Sequence, residues 1–324
     1  MNYKYIMLCC PQGVTGGPEA LHQLVHVLRE YGHAAYILYY PFDKSFDCPK
    51  LYKRYNAPQG QWRDEQGDLI VVPEVATWIL PLIKNAKAAV WWLSVDNYFR
   101  AGSGSALRDL VRRYKTLLYG VRMPLSKMQS YRHFAQSCFA ETFLRKHKLR
   151  SQLLTDYLSD EHLLRSEMPH VKRDIVAYNP RKGIARTSAL ISSYPRCDFR
   201  AIDGMTNGEV AQLLAEAKVY IDFGHHPGKD RLPREAAMAG CCVITGTHGA
   251  AAYAEDVPIP NRYKLDDSTG EYIRQFDRLV ASIFGDYASH AAEFEDYRRR
   301  IQEEPEAFRQ QVKSIFGEIF ARER

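Results

Sequence analysis

Residues 221–246, IDFGHHPGKDRLPREAAMAGCCVITG, crowd groups able to do chemistry into a short stretch. Lys229 and Arg231 carry positive charge, and Glu235 follows Arg231 by four positions. A lysine is a point charge and an arginine a forked donor, a pairing that suits a phosphate or diphosphate. An ionised glutamate only accepts, so it can hold two neighbouring hydroxyls such as those of a ribose. His225 and His226 stand just upstream, where their rings would lie beside the sugar of such a ligand. They also raise the question of a metal, but no Asp, Glu or Cys stands at a convincing ligand spacing, and none is expected. The simpler alternative is a capped helix whose charges face water; it does not require Gly228 and two histidines beside the charges.

The surrounding pattern indicates how these groups are held. KVYIDFG reads as a strand leaving a sheet, EAAMAG as the start of a small-residue helix ended by Gly240, and CCVITG as the next strand. Ligands of open parallel sheets bind beyond the carboxyl ends of the strands. The start of a helix there offers free N–H groups and a partial positive charge. Two more loops share this position. YNPRKG carries Asn179, Arg181 and Lys182 to the start of a helix, and TGTHGA carries Gly249, whose lack of a side chain lets backbone approach a ligand.

Further out, the chain repeats one order of elements. YKYIMLCC predicts a buried strand, PQGVTGG a turn bearing Gly16 and Gly17, and PEALHQLVHVLREYG a helix with Leu21, Leu24, Val25 and Leu28 on one face. Strands follow at HAAYILYY, DLIVVPE, AAVWWLSV, HFAQS and QLLTDY. Residues 158–173 suit a linker, after which DIVAYN, FRAI, KVYIDFG and CCVITG read as strands and NGEVAQLLAEA as a helix. Strands alternating with helices predict an α/β protein with two Rossmann-like domains facing a cleft. The boundaries read as 1–157, 158–285, and C-terminal helices over 286–324 that pack back across the domains. Helical sequence runs from about residue 268, with a break expected near Pro305. Asp96, in WWLSVDNYF, stands at a strand end where it could orient or deprotonate an acceptor hydroxyl. A turn-forming Asp-Asn pair is the equal alternative.

Composition narrows the class. With 324 residues, 46% hydrophobic and 25% charged, the chain reads as a folded soluble protein. No apolar run approaches ~18 residues and no secretory pattern appears at the N-terminus, so a cytoplasmic protein is expected. Seven cysteines include the pairs Cys9-Cys10 and Cys241-Cys242 in apolar runs, which read as reduced core residues. Residues 1–157 hold 21 of the 44 Lys and Arg against 12 of the 38 Asp and Glu, leaving 23 against 26 for the rest. Most of the excess lies between residues 100 and 150, a face suited to acidic glycans or an anionic membrane surface, or simply a solvated one. Nucleic acid is not expected, because the basic stretch lacks interleaved aromatics in a recognisable module.

The residues also bear a resemblance. GGPEALHQLVHVLREYGHAAYIL resembles the first Gly-rich loop and helix of GT-B fold glycosyltransferases of the family 4 type. DGMTNGEVAQLLAEAKVYIDFG followed by PREAAMAGCCVITG resembles the core of that family's second domain, with the bacterial surface-polysaccharide branch nearest in pattern. The likeness spans both halves and is loose over 42–130. It implies a retaining transfer of a sugar from a nucleotide-diphosphate donor to a glycan or lipid-linked acceptor, with no metal and no cofactor besides the donor. It implies the donor ribose at Glu235, the diphosphate at Arg181 and Lys182, and Gly16 and Gly17 approaching from the other wall. The family's first glutamate, eight positions before the second, falls on Pro227 here. His226 or Asp230 then takes its place at the donor sugar, or the chemistry is altered or absent. A sugar-nucleotide epimerase and a non-catalytic nucleotide-sugar-binding protein therefore stay open as alternatives.

Overall fold

The computed structural model describes residues 3–99, 122–160 and 171–318. Two compact units divide the chain: residues 1–156 with 305–324, and residues 157–304.

The first unit opens with β1 (Ile6–Pro11), α1 (Gly16–Glu30) and β2 (Ala35–Tyr40). Leu21, Leu24, Val25 and Leu28 recur at helical spacing and are fully buried, which fixes the face that α1 turns to the sheet. Gly32, at φ 84°, lets the chain turn after the helix. β3 (Leu69–Pro73), β4 (Lys87–Trp92), the short α2 (Val95–Phe99), β5 (Arg132–Ala135), α3 (Cys138–Lys146) and β6 (Ser151–Leu153) follow. The six strands lie in the order β2-β1-β3-β4-β5-β6, all parallel. Apolar runs such as Leu69–Pro73 fit strands covered on both faces. The strand expected over QLLTDY is confined to β6, and the Leu154 carbonyl beyond it accepts the Trp91 indole N–H at 2.9 Å.

The second unit contains β7 (Arg173–Tyr178), α4 (Ile184–Ser193), β8 (Asp198–Ala201), α5 (Asn207–Glu216), β9 (Ala217–Asp222), α6 (Arg231–Met238) and β10 (Cys242–Thr245). Its parallel strands lie in the order β10-β9-β7-β8. α5 opens on a capping box, Thr206 with Glu209, which satisfies two N–H groups that the helix leaves unpaired. α7 (Glu271–Gly285), α8 (Tyr287–Ala292) and α9 (Glu295–Phe316) complete the chain.

The break expected at Pro305 does not occur: this proline lies inside α9. A proline in a helix interior costs about 3 kcal/mol. Tyr297, Ile301, Phe308, Val312 and Phe316 form a row at helical spacing, each no more than 3% exposed. At roughly 1.5–3 kcal/mol for each large apolar side chain, that row outweighs the proline. In the first unit, Phe308 stacks at 6.4 Å on Trp91 and Phe316 lies 5.7 Å from Phe134. The C-terminal helices are interrupted instead at Asp286, whose carboxylate accepts the Ser289 N–H, and again at residues 293–294. All seven cysteines are free, and Cys9, Cys10, Cys241 and Cys242 are buried. Among the described residues, no helix is long and apolar enough to cross a membrane.

Candidate functional site

The second unit's strand order reverses between β7 and β9, the place where open sheets receive ligands. The loops leaving these strands interlock through glycines. A Cβ on Gly183 would fall 2.4 Å from the Phe223 carbonyl carbon, and Gly183 also has φ +59°. Gly249, at φ +66°, would place a Cβ 2.1 Å from the His226 carbonyl oxygen. Neighbouring backbone, and not only the approach of a ligand, thus requires a glycine at 249. Gly16 and Gly17 of α1 show the opposite case: a Cβ on Gly16 meets nothing within 4 Å, and one on Gly17 meets only Leu93 at 3.7 Å.

α6 begins at Arg231, four residues earlier than the expected start at Glu235. Pro233 does not prevent this, because the first turn of a helix has no intrahelical use for its N–H. Asp230 is the N-cap, and its Oδ2 accepts from the Lys182 ammonium at 2.6 Å. Lys182 immediately precedes Gly183, the N-cap of α4. One ion pair therefore ties the N-terminal ends of two helices together, and their partial positive charges fall in one neighbourhood.

A cavity of about 250 Å³ lies beside this junction. It is lined by Asn179 and Arg181 after β7, by Ile202, Gly204 and Met205 after β8, by α5, and by Arg231, Leu232 and Glu235 of α6. Arg231 Nε stands 2.9 Å from Glu235 Oε1, one helical turn apart, and the glutamate is 9% exposed. Asn179 uses its side-chain oxygen to accept the Arg181 N–H at 3.0 Å, which shapes the loop. The Arg181 guanidinium is largely exposed and lies 3.9 Å from Asp203. Asn179, Arg181, Arg231 and Glu235 thus share one cavity, whereas Lys182 and Asp230, next to Arg181 and Arg231 in the chain, are not part of its lining.

Two expected site residues are placed otherwise. Lys229 is engaged by Glu304, its Nζ 2.7 Å from Oε1. The other oxygen of Glu304 receives Arg234 Nη1 at 2.8 Å, and Arg234, 2% exposed, also donates to the carbonyls of Lys229 and Asp230. His226 has no exposed surface and lies between Asp222 and Asp230, so in this structure its ring is shut away from the cavity. The expectation that no carboxylate partners this histidine is corrected. Asp222 and Asp230 flank it at four residues on either side, and the turn after β9 folds them together.

The structure adds a second carboxylate centre that sequence reading missed. Asp267 is buried and paired with both Arg186 of α4 and His248, whose Nε2 lies 2.8 Å from Oδ1. The TGTHGA loop contained His248, but its partner is distant in sequence and gave no signal. In the first unit, Asp96 sits in the first turn of α2, partly buried. The basic residues 100–121 lie outside the described residues. Of the remaining basic stretch, Arg145, Lys146, His147, Lys148 and Arg150 are exposed at and beyond the C-terminal end of α3. Cations there complement the negative end of the helix.

Two parallel α/β sheets, each with its own helices, define the GT-B fold of two Rossmann-like domains. No described protein family matches the chain by its sequence model. An alpha-1,6-glucosyltransferase of Actinobacillus pleuropneumoniae serotype 7 is 29% identical over 145 residues, covering 41% of this chain and 41% of that protein. The match thus spans well under half of the curated relative. Sucrose-phosphate synthase of Thermosynechococcus elongatus superposes with a TM-score of 0.65 at 14% identity, covering 97% of this chain and 98% of that one. WaaG, a glycosyltransferase involved in lipopolysaccharide biosynthesis, gives 0.61 at 14%, covering 96% and 100%. Anabaena HepE in complex with UDP-glucose gives 0.60 at 12%, covering 96% and 98%. At these identities the likeness is one of fold.

Proposed function

We propose that this chain is a glycosyltransferase that moves a sugar from a nucleotide-diphosphate donor to a glycan or lipid-linked acceptor in surface-polysaccharide synthesis. The observation that carries the reading is the cavity beside the β7/β9 reversal, with Asn179, Arg181, Glu235 and Arg231, the first residue of α6, in its wall. Its 250 Å³ lies a little under the range of about 300–1,000 Å³ usual for small-molecule sites, which fits the nucleoside part of a donor with the rest projecting outward. Glu235 receives the ribose hydroxyls. Arg181, Lys182, Arg231 and the starts of α4 and α6 meet the diphosphate and stabilise it as it leaves. Preorganised donors of this kind can contribute on the order of 3 kcal/mol each to a barrier. Lys229 braces the crest through Glu304. The glucosyltransferase relative and the UDP-glucose complex of HepE favour a UDP-sugar as the first donor to try.

Transfer proceeds with retention and with no metal on the diphosphate, as the family resemblance implies. Asp96 stands for the acceptor hydroxyl in the first unit. The exposed cluster Arg145, Lys146, Lys148 and Arg150 gives the protein a peripheral hold on anionic lipid at the inner face of a membrane. A second reading, donor binding without transfer, is favoured by Pro227 in the position of the family's first glutamate.

Calorimetric titration with UDP-, ADP- and GDP-sugars separates these readings. Saturable binding of one donor, abolished by Arg231→Glu, with nucleotide released when acceptor glycans are added, is the expected result. Binding without release across the acceptor panel establishes the second reading, and no binding of any nucleotide sugar refutes both.

A further inference from the structure

His226 is a buried, polar side chain that the proposed transfer does not use. It has no exposed surface, and neither ring nitrogen makes a hydrogen bond. A buried polar group left without a partner forfeits the hydrogen bonds that it made to water in the unfolded chain. Its surroundings are not apolar: Nε2 faces Asp222 Oδ1 at 3.7 Å, and Nδ1 faces Asp230 Oδ2 at 3.3 Å. Asp222 is itself 3% exposed, and its oxygens are met by the Gly224 N–H at 2.9 Å and the Tyr220 hydroxyl at 3.4 Å. Two carboxylates thus converge on one imidazole, and Lys182 is paired with one of them, Asp230.

We propose that Asp222, His226 and Asp230 form a binding site for one divalent transition-metal ion. Each offers one ligand atom, and the three atoms lie within 4.8 Å of one another. Zinc bonds of about 2.0–2.2 Å in a tetrahedron put ligand atoms about 3.4 Å apart, so the site closes on an ion by a modest contraction. One imidazole with two carboxylates suits Zn²⁺ or a neighbouring first-row ion, whereas an all-oxygen set suits Mg²⁺ or Ca²⁺. Three protein ligands leave a fourth position for water. The charges agree: a dication balances the two carboxylates and satisfies one orphan nitrogen of His226.

Lys182 shares Asp230 Oδ2 with this site, so ion and ammonium compete for one oxygen. Binding of the ion frees the lysine. The ion would join the end of β9, the HHPGKD turn and the N-cap of α6, and so brace that turn. With His226 fully buried, it would not touch a substrate. The site stands on these residues alone, and it touches the proposed reaction only through Lys182, which it would release from Asp230.

The test uses the full chain, stripped with chelator. Zn²⁺ titration by calorimetry is expected to give one ion per chain, and Co²⁺ a visible spectrum without thiolate charge transfer. Asp222→Asn and His226→Ala should each weaken Zn²⁺ by at least about tenfold, and Lys182→Met should tighten it severalfold. Circular dichroism checks that each variant folds, and Asp222→Asn carries the test if His226→Ala does not. Absent stoichiometric binding, a thiolate band placing the ion on cysteine, or Zn²⁺ affinity unchanged in Asp222→Asn overturns the site. Unchanged affinity in Lys182→Met removes Asp230 from the ligand set.

Discussion

Glu304→Gln keeps the shape of a side chain that holds two cations and removes only its charge. Lys229 Nζ and Arg234 Nη1 approach its two oxygens at 2.7 and 2.8 Å, and the three side chains are 2–11% exposed. Removing one partner of a buried ion pair costs about 3–5 kcal/mol, because the other charge is left uncompensated. Arg234 keeps its bonds to the Lys229 and Asp230 carbonyls, which sets the expectation at the lower end, about 3 kcal/mol. The loss should be local to the segment around α6. Hydrogen exchange of the α6 amides at neutral pH is therefore the assay. A 3 kcal/mol drop in opening free energy raises their exchange about a hundredfold, since about 1.4 kcal/mol is a factor of ten. Amides of β1 and β3, in the other unit, serve as the internal control. An increase under about fivefold, or about 1 kcal/mol, would refute the claim that Glu304 holds the crest. Lys229→Met combined with Glu304→Gln should cost less than the sum of the two, since one substitution already removes the pair.

Gly249→Ala should destabilise the second unit by about 3 kcal/mol, because the new methyl meets the His226 carbonyl at 2.1 Å and the backbone is left-handed; thermal unfolding measures it. A shift within error would mean that the loop can yield. In the first unit, burial pushes the Glu74 carboxyl up from 4.5 to about 7, although its Oε2 accepts the Leu93 N–H at 2.9 Å. The folded protein therefore binds this proton more tightly than the unfolded chain. The resulting stability is full below about pH 4.5 and is lost as pH rises through about 7, a swing of about 3 kcal/mol. Urea midpoints at about pH 5 and pH 8 should show Glu74→Gln losing less stability with rising pH than the natural chain, and parallel curves would contradict it.

Much of the fold could be read from local pattern. The strands at Ile6–Pro11 and Cys242–Thr245 are apolar runs with buried faces, and α1 shows its apolar row directly in sequence. The assignment failed where a local rule was outweighed from a distance. Pro305 is a helix breaker by propensity, but the row from Tyr297 to Phe316 decides the conformation through packing that no window of sequence displays. That Arg231, Glu235, Asn179 and Arg181 lie close together was legible because strand-end loops converge by topology, and they line one cavity. The partners of Lys229 and His226 were not legible: Glu304 lies 75 residues from Lys229, and Asp222 and Asp230 reach His226 only once the turn after β9 has folded.

The glycine contacts among the second unit's loops carry a consequence for how such a protein could diversify. Gly183 rests on Phe223 and Gly249 on His226, main chain against main chain, with no side chain between them. Movement of any one loop must displace its neighbour, so their frame is insensitive to what the outward-facing residues are. Met205, Asn207 and Leu232 in the cavity wall can then be exchanged one at a time without shifting the support beneath them. A change of ligand preference in this lineage would need new surface on an unaltered base, and libraries confined to those three positions are the natural place to look for it.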